Sequence, residues 1–174
     1  MSRLVNIFLA PFLISWILVP GYAIAEVSTS GRIVAVHDGD TLTILDPSNT
    51  QIKIRLAQID APEKRQPFGA RAKQELSRLA FGKTAIVDVQ GIDRYGRTLG
   101  RVTIGTLDVN AELVKRGSAW VYRKYSKDMF LLKLEQEARE ARLGLWSLPP
   151  ADRIPPWEWR RMNLQVRPTG ARDR

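Results

Sequence analysis

The fold is decided by residues 33–56, IVAVHDGDTLTILDPSNTQIKIRL. Polar and apolar side chains alternate along residues 41–45 and again along residues 51–56, which is typical of strands with one buried face. Residues 38–40 and 46–49 contain the Asp, Gly, Pro and Asn of tight turns. The stretch therefore predicts a three-strand meander, in which neighbouring strands pair through short turns.

Downstream of this meander, the hydrophobic pattern predicts two more strands and three helices. The strands are residues 84–89 and 98–104, which flank the loop 91–97, and the helices are residues 69–81, 109–116 and 127–143, the last with Ser126 as its N-cap. Five short strands with helices between and after them predict an α+β fold that is mainly β. The expected architecture is a five-stranded OB-fold barrel with about three α-helices.

Composition limits the chemistry that this chain can perform. Its 174 residues suit one domain, and 27 Lys and Arg against 18 Asp and Glu give a formal net charge of +9, which favours anionic partners. The hydrophobic content of 44% excludes a wholly disordered chain. Without cysteine there is no disulfide framework, thiolate zinc site or thiol nucleophile. The one histidine, His37, ends a predicted strand, where a lone histidine is more often a surface residue than a base.

Both ends of the chain differ in character from the domain between them. Arg3, an apolar run at residues 7–19 and the sequence Ala-Ile-Ala ending at Ala25 predict a signal peptide that is cleaved after Ala25. We therefore expect export, either to a periplasm or out of the cell, with an uncleaved membrane anchor as the alternative. Residues 26–148 form the predicted domain, and residues 149–174 form a tail rich in Pro and Arg.

Acidic and basic residues occur where the predicted strands end. Turn chemistry alone explains an Asp at any one of these positions. However, Asp40 opens the second strand and Asp60 follows the third, so their side chains are expected to converge at one end of the barrel. Two carboxylates and a main-chain carbonyl make a hard-oxygen site for Ca²⁺ or Mg²⁺. Arg55 and Arg97, on neighbouring segments, add the guanidinium forks that bind phosphate.

Five motifs, in order and at compatible spacing between about residues 31 and 146, make the chain resemble the staphylococcal nuclease (thermonuclease) family. They are DGDT at 38–41, IRLAQIDAPE at 54–63, DRYGR at 93–97, NAELVKRG at 110–117 and LGLW at 143–146. The family fold is a five-stranded OB barrel with three helices, which agrees with the strand pattern.

The resemblance implies a Ca²⁺-dependent phosphodiesterase that cleaves DNA and RNA, preferring single strands, and leaves a 3′-phosphate and a 5′-hydroxyl. A monomer without a stable protein partner is expected. By matching position, it implies calcium ligation by Asp40, Asp60 and the main-chain carbonyl of Ala61, catalysis by Arg55, Glu63 and Arg97, substrate binding by Arg94, Tyr95, Trp120 and Tyr122, and support of metal-held water by Asp38. Glu63 would hold or deprotonate the attacking water, and the two catalytic arginines would grip the phosphate.

The chain departs from the family pattern at three of these positions. Ala61 replaces the usual Thr, Arg94 replaces a common Lys, and Trp120 replaces the first of two Tyr residues that flank the nucleotide. Two other functions remain open at this stage. One is an OB-fold module that binds nucleic acid without cleaving it. The other is an envelope interaction domain tethered by an uncleaved N-terminus.

Overall fold

The computed structural model describes residues 27–166, so the predicted signal peptide and the last eight residues of the tail lie outside the described part. Its strands are β1 (Ser28–Val36), β2 (Thr41–Leu45), β3 (Gln51–Leu56), β4 (Ile59–Asp60), β5 (Thr84–Ile92), β6 (Thr98–Ile104), β7 (Leu107–Asp108) and β8 (Trp120–Val121). Its α-helices are α1 (Gly69–Ala80), α2 (Val109–Lys115), α3 (Met129–Glu140) and α4 (Pro156–Val166), with short 3₁₀ turns at Gly144–Ser147 and Pro150–Asp152.

Five strands close into a barrel, which confirms the predicted fold. Antiparallel pairing follows the order β3-β2-β1-β5-β6, and β3 then pairs with β6 in parallel, so the sheet closes on itself. The alternation seen in the sequence places apolar side chains inside, such as Leu42, Ile54 and Val102, each fully buried. Closure fixes the C-terminal end of β3, together with the loops beside it, at one mouth of the barrel.

Helix α3 begins later than predicted. It starts at Met129 rather than at residue 127, and its N-cap is Asp128, whose carboxylate accepts hydrogen bonds from the N–H groups of Phe130 and Leu131. The prediction of Ser126 as the cap was therefore wrong. The Ser126 hydroxyl instead accepts the N–H of Asp128 at 3.2 Å, which holds the residue that does cap the helix.

The sequence pattern predicted about three helices, and the structure adds a fourth within the tail. Helix α4 begins at Pro156, a residue well suited to the first helical turn because it has no N–H to leave unpaired. The pattern also did not predict the two-residue strands β4 and β8, which pair Asp60 with Trp120. No helix within residues 27–166 combines the length and apolarity needed to cross a membrane.

A small aromatic cluster behind β8 attaches α4 to the domain. Trp120 packs edge-on against Trp146, with ring centroids 4.3 Å apart, and against Trp157 of α4 at 5.9 Å. Trp120, Trp146 and Leu145 are all at least nine-tenths buried. This packing fixes α4 next to the mouth of the barrel.

Candidate active site

A cavity of about 800 Å³ opens at one end of the barrel. All of the predicted site residues except Trp120 line it, namely Asp38, Asp40, Arg55, Asp60, Ala61, Glu63, Arg94, Tyr95, Arg97 and Tyr122. They come from the turn before β2, the end of β3, the segment around β4, the β5–β6 loop and the residue after β8. The cavity therefore brings together predicted site residues from five separate segments of the chain.

Two buried carboxylates face each other across one guanidinium. Asp40 and Asp60 are 6% and 1% exposed. Arg55 Nη2 lies 3.1 Å from Asp40 Oδ2 and donates to Asp60 Oδ1 at 2.8 Å. Its Nη1 donates to the main-chain carbonyls of Leu56 and Ile59 at 2.6 and 2.9 Å. Both terminal nitrogens of Arg55 are thus engaged, and the guanidinium is held in place between the acids.

Main-chain contacts bring the acidic turn against the β4 segment. The Ala61 N–H donates to Asp40 Oδ2 at 2.7 Å, and the Asp40 N–H donates to Asp38 Oδ1 at 3.1 Å. Between the two aspartates, Gly39 is required by space, because a Cβ there would lie 2.6 Å from the Ala61 Cβ and 2.8 Å from the Ala72 Cβ. The sequence Asp-Gly-Asp therefore does more than turn the chain: it allows the two acidic segments to touch.

The electrostatics of Asp40 indicate a shortage of positive charge. Burial raises its pKa, the Arg55 guanidinium lowers it, and the nearby carboxylates of Asp38 and Asp60 raise it again, so that the pKa of Asp40 stands at about 7. A carboxyl group with such a pKa is poorly neutralised by its surroundings. An added cation beside Asp40 would favour the ionised form of its carboxyl group.

The oxygen donors in this part of the cavity fit a hard divalent cation. Asp40 and Asp60 both bring an oxygen within reach of one Arg55 nitrogen, and the main-chain carbonyl of Ala61 follows directly in the chain. Carboxylate and carbonyl oxygens are the ligands that Ca²⁺ and Mg²⁺ prefer. Within residues 27–166, no group of three or more His, Cys, Asp or Glu side chains is clustered as a metal site. A metal here would accordingly take two carboxylates, a carbonyl and water.

Glu63 lies on the same wall but is more open to solvent, with 39% of its side chain exposed. The loop that carries it is closed by Gln66, whose N–H donates to the Glu63 carbonyl at 2.8 Å while its side-chain oxygen accepts the Glu63 N–H at 3.1 Å. Gly69 packs so closely that a Cβ there would lie 1.9 Å from the Glu63 carbonyl oxygen. An exposed carboxylate on a well-held loop can accept a proton from water in the cavity.

Arg97 is oriented by Asp93 at the other side of the cavity. Arg97 Nε and Nη2 both lie 2.7 Å from Asp93 Oδ2, and Nη1 lies 3.5 Å from the Thr41 hydroxyl. Partial burial raises the pKa of Asp93, but the N–H and guanidinium of Arg97 and the N–H of Tyr95 lower it by more. The lowered pKa keeps Asp93 ionised. Asp93 thereby holds Arg97 with its remaining nitrogen, Nη1, next to Thr41 at the start of β2, the residue after Asp40.

Exposed aromatic and basic side chains form the rim of the cavity. Tyr95 is 68% exposed, and its hydroxyl accepts a hydrogen bond from Arg94 at 2.7 Å. On the opposite rim, Tyr122 contacts Tyr125 edge-on at 4.8 Å, and Lys124 lies 5.3 Å from the Tyr125 ring centre. Such surfaces suit nucleic-acid substrates, because aromatic rings stack on bases and cations bind phosphates.

Trp120 does not join the other predicted substrate-binding residues. It is 8% exposed, does not line the cavity, and packs between Trp146 and Trp157. The rings of Trp146 and of Trp157 on α4 cover it, so that Trp120 is enclosed by other aromatic side chains. The structure therefore gives Trp120 a packing role beneath α4.

Several cavity residues were not predicted from the sequence, and Arg160 of α4 is the main one. Arg160 Nη2 contacts Asp60 Oδ2 at 2.7 Å, and Nη1 contacts Glu63 Oε1 at 2.6 Å. Burial lowers the pKa of Arg160, but the two carboxylates raise it by more. The sequence gives only weak evidence for this contact. Pro156 favours the start of a helix, and Trp157 and Arg160, three positions apart, would share one face of that helix.

Comparisons with known proteins agree with this geometry. The family described as "Staphylococcal nuclease homologue" matches residues 53–148. "Protein ParB" of Escherichia coli is 44% identical over 151 residues, covering 80% of this chain and 84% of that protein. "Micrococcal nuclease" of Shigella flexneri is 45% identical over 142 residues, covering 75% and 80%. An "Uncharacterized endonuclease" of Escherichia coli O157:H7 is 46% identical over 131 residues, covering 75% and 84%.

Proposed function

This chain belongs to the staphylococcal nuclease family and is a nuclease, as its motifs predicted, and we propose that it is a calcium-dependent phosphodiesterase of DNA and RNA that leaves 3′-phosphate products. The proposal rests on one observation above all. A buried carboxylate pair, a more exposed glutamate and two held arginines line the same cavity. These are the groups that metal-assisted hydrolysis of a phosphodiester requires.

Calcium would be held by Asp40, Asp60 and the main-chain carbonyl of Ala61. When bound there, it supplies Lewis-acid polarisation of the phosphodiester and neutralises its negative charge. Asp38 supports the site by accepting the Asp40 N–H, which keeps the Asp40 carboxylate directed toward Asp60. Ala61 contributes a main-chain atom, so the replacement of the family Thr leaves this ligand intact.

Glu63 would accept the proton of the attacking water. The water oxygen forms a bond to phosphorus, the proton goes to the Glu63 carboxylate, and the bond from phosphorus to the 5′-oxygen breaks. The 5′-alkoxide then takes a proton from solvent, which gives a 3′-phosphate and a 5′-hydroxyl. Glu63 suits this role because part of its carboxylate remains open to the cavity.

Arg97 and Arg55 would stabilise the charge that builds up on the phosphate oxygens. A guanidinium does not give up its proton near neutral pH, so its contribution is electrostatic. Arg97 is ready for this role because Asp93 holds two of its nitrogens and leaves Nη1 toward the cavity. Arg55 lies between the two carboxylates and would contact the phosphate next to the metal.

Single strands would be the preferred substrates. The exposed rim residue Tyr95 presents a ring that can stack only on an unpaired base, and Arg94 adds a phosphate contact. Tyr122 also lines the cavity, with one face of its ring covered by Trp157. The net charge of +9 would attract the polyanion from solution. We further propose that the protein is exported, because residues 1–25 have the pattern of a signal peptide. We also propose that it acts as a monomer.

Digestion of single-stranded DNA by the purified protein tests the proposal. Cleavage in Ca²⁺ that stops in excess EGTA, with 3′-phosphate ends on the products, is the expected result. Binding without cleavage, in folded protein offered Ca²⁺ and other divalent ions, would contradict it. A parallel digestion of RNA and of duplex DNA measures the substrate range. The first residue of the exported protein tests the predicted cleavage after Ala25.

A further inference from the structure

Helix α4 places a fourth arginine in the cavity, in addition to Arg55, Arg94 and Arg97, and this residue contacts the acidic groups. Arg160 Nη2 donates to Asp60 Oδ2 at 2.7 Å, and Nη1 lies 3.3 Å from Asp60 Oδ1 and 2.6 Å from Glu63 Oε1. With Arg55 on the other side, both oxygens of Asp60 are hydrogen-bonded to guanidinium groups. Arg160 thus binds a carboxylate assigned to the metal and the carboxylate assigned to the water.

The position of Arg160 is fixed by contacts made elsewhere on its segment. Trp157, one helical turn earlier, stacks on Tyr122 with ring planes 2° apart and centroids 5.2 Å apart. It also packs edge-on against Trp120. Just before the helix, the Ile154 carbonyl accepts a hydrogen bond from the Gln66 side chain, on the loop that carries Glu63. Because α4 is attached at these points, Arg160 is presented to the cavity rather than free to leave it.

The charge balance on this wall depends on Arg160. Asp38, Asp40, Asp60 and Glu63 bring four carboxylates, against which Arg55 and Arg160 bring two guanidinium groups. Removal of Arg160 would leave three negative charges instead of two for an incoming cation. It would also free Asp60 Oδ2 to act as a ligand. Both changes strengthen the attraction of a divalent cation to the site.

We propose that Arg160 is a positioning residue of the metal site, whose guanidinium competes with the divalent cation for Asp60 and Glu63 and thereby sets the calcium concentration at which the nuclease works. This inference rests on the proposed calcium-dependent function. In the metal-free protein, Arg160 bridges the two carboxylates. When calcium binds, Arg160 gives up Asp60, and α4 remains attached through Trp157.

Titration of calcium into the metal-free protein by calorimetry, with no nucleic acid present, tests the proposal directly. Arg160→Gln should lower the calcium Kd about tenfold, because it removes one charge and one competing ligand contact. Half-maximal activation of DNA cleavage should shift to lower calcium by the same factor. Arg160→Lys keeps the charge without the guanidinium fork, and its Kd should lie between those of the wild type and Arg160→Gln.

The matched control is Arg161→Gln, which removes the same charge from the next, exposed position of α4. Its calcium Kd should stay within about twofold of the wild type, since solvent and salt screen a charge outside the cavity. A second test variant, Trp157→Leu, changes no charge. It loosens the attachment of α4 and should lower the calcium Kd about threefold.

Different results would contradict the role of Arg160 and the proposed calcium dependence. If the wild type binds calcium and cleaves DNA but Arg160→Gln binds calcium equally or more weakly, Arg160 does not compete with the cation and the inference is wrong, while the proposed function stands. An equal gain of affinity in Arg161→Gln would also overturn it, because net charge alone would then explain the effect. If neither the wild type nor Arg160→Gln binds calcium, both the inference and the proposed calcium dependence are wrong.

Discussion

Two buried carboxylates in this protein are each paired with two arginines, yet they differ in what surrounds them. Asp60 contacts Arg55 and Arg160, and Glu135 on α3 contacts Arg123 at 2.7 Å and Arg139 at 3.2 Å. Both acids are 1% exposed. We refer to Asp40, Asp60 and Glu63 with Arg55 and Arg160 as the Asp60 cluster, and to Glu135 with Arg123 and Arg139 as the Glu135 cluster.

In the Glu135 cluster the single buried carboxylate is fully neutralised by its arginines. One oxygen of Glu135 accepts the Val121 N–H at 2.9 Å, and the other accepts from Arg123 and lies 3.2 Å from Arg139 Nη2. Arg139 lies over the rings of Trp146 and Trp120, at 4.2 and 5.1 Å from their centres. None of the three residues of this cluster lines the cavity at the barrel mouth, which Asp60 does line. Its charges connect α3 to β8, which is a structural task.

The Asp60 cluster has more acids than its arginines neutralise, and it faces open space. Asp40 next to Asp60 has a pKa of about 7, raised chiefly by burial and further by Asp38 and Asp60. An excess of buried negative charge beside a cavity marks a place where a cation or a reaction is expected. The comparison shows that the residue types alone do not distinguish a site from a structural ion pair. The local charge balance and access to a cavity do.

The largest difference between the clusters should appear when one glutamate of each is replaced by its amide. Glu63→Gln should reduce the turnover of DNA cleavage by about 10²- to 10⁴-fold, because the amide cannot accept the proton of water. Its melting temperature should change little, since Glu63 is partly exposed. Initial rates at saturating calcium and DNA provide the measurement, and Glu137→Gln on the solvent face of α3 is the control. Turnover near the wild-type value would remove Glu63 from the mechanism.

The opposite result is expected in the Glu135 cluster. Glu135→Gln should lower the free energy of unfolding by roughly 2–3 kcal/mol, because it leaves Arg123 and Arg139 without a buried anion. The turnover of the folded protein should remain unchanged. Urea unfolding followed by tryptophan fluorescence, together with rates measured well below the midpoint, tests both parts. A loss of turnover without a loss of stability would mean that the Glu135 cluster belongs to the active site.

Replacement of Asp40 by its amide should have a smaller effect on stability than Glu135→Gln, and it should stabilise the protein instead of destabilising it. The pKa of Asp40 in the folded protein, about 7, exceeds its ordinary value of 3.8, so its stabilising contribution is full below pH 4 and is lost as the pH rises toward 7. Asp40→Asn should therefore stabilise the metal-free protein at pH 8 by about 1–3 kcal/mol and have little effect at pH 4.

Thermal unfolding in EGTA at the two pH values measures this difference. Asp152→Asn, at an exposed position outside the cavity, is the control and should show no gain at pH 8. In calcium the Asp40→Asn advantage should disappear, because the substitution removes a proposed ligand. A variant that is less stable than the wild type at pH 8 in EGTA would show that Asp40 is well neutralised after all.

Most of the barrel was predictable from local sequence. The strands at residues 41–45, 51–56 and 98–104 were predicted with the bounds that the structure shows, because polar and apolar residues alternate along them in the sequence. The N-cap of α3 could not be predicted in this way. Ser126 and Asp128 are both suitable capping residues, and only the turn geometry selects Asp128. Strands β4 and β8 have two residues each, too few to show any period.

The candidate site was predictable to the extent that its residues stand in short motifs. Asp38, Asp40, Asp60 and Glu63 follow or precede strands whose order in the barrel was expected, so their approach to one cavity could be foreseen. Trp120 could not be assigned in this way, because a neighbouring segment of the tail covers it. The roles given to the individual residues stay predictions until the variants are measured.

The sequence by itself determined the barrel strands and the positions of the acidic and basic motifs along them. Both are local properties: alternation is decided between neighbouring residues, and turn residues act on their own backbone. Only the tertiary structure decided that Trp157 would cover Tyr122 and that Arg160 would reach Asp60, 100 residues earlier in the chain. A contact over that separation leaves no period in the sequence, because it depends on how a tail helix packs on a surface that the barrel must first create.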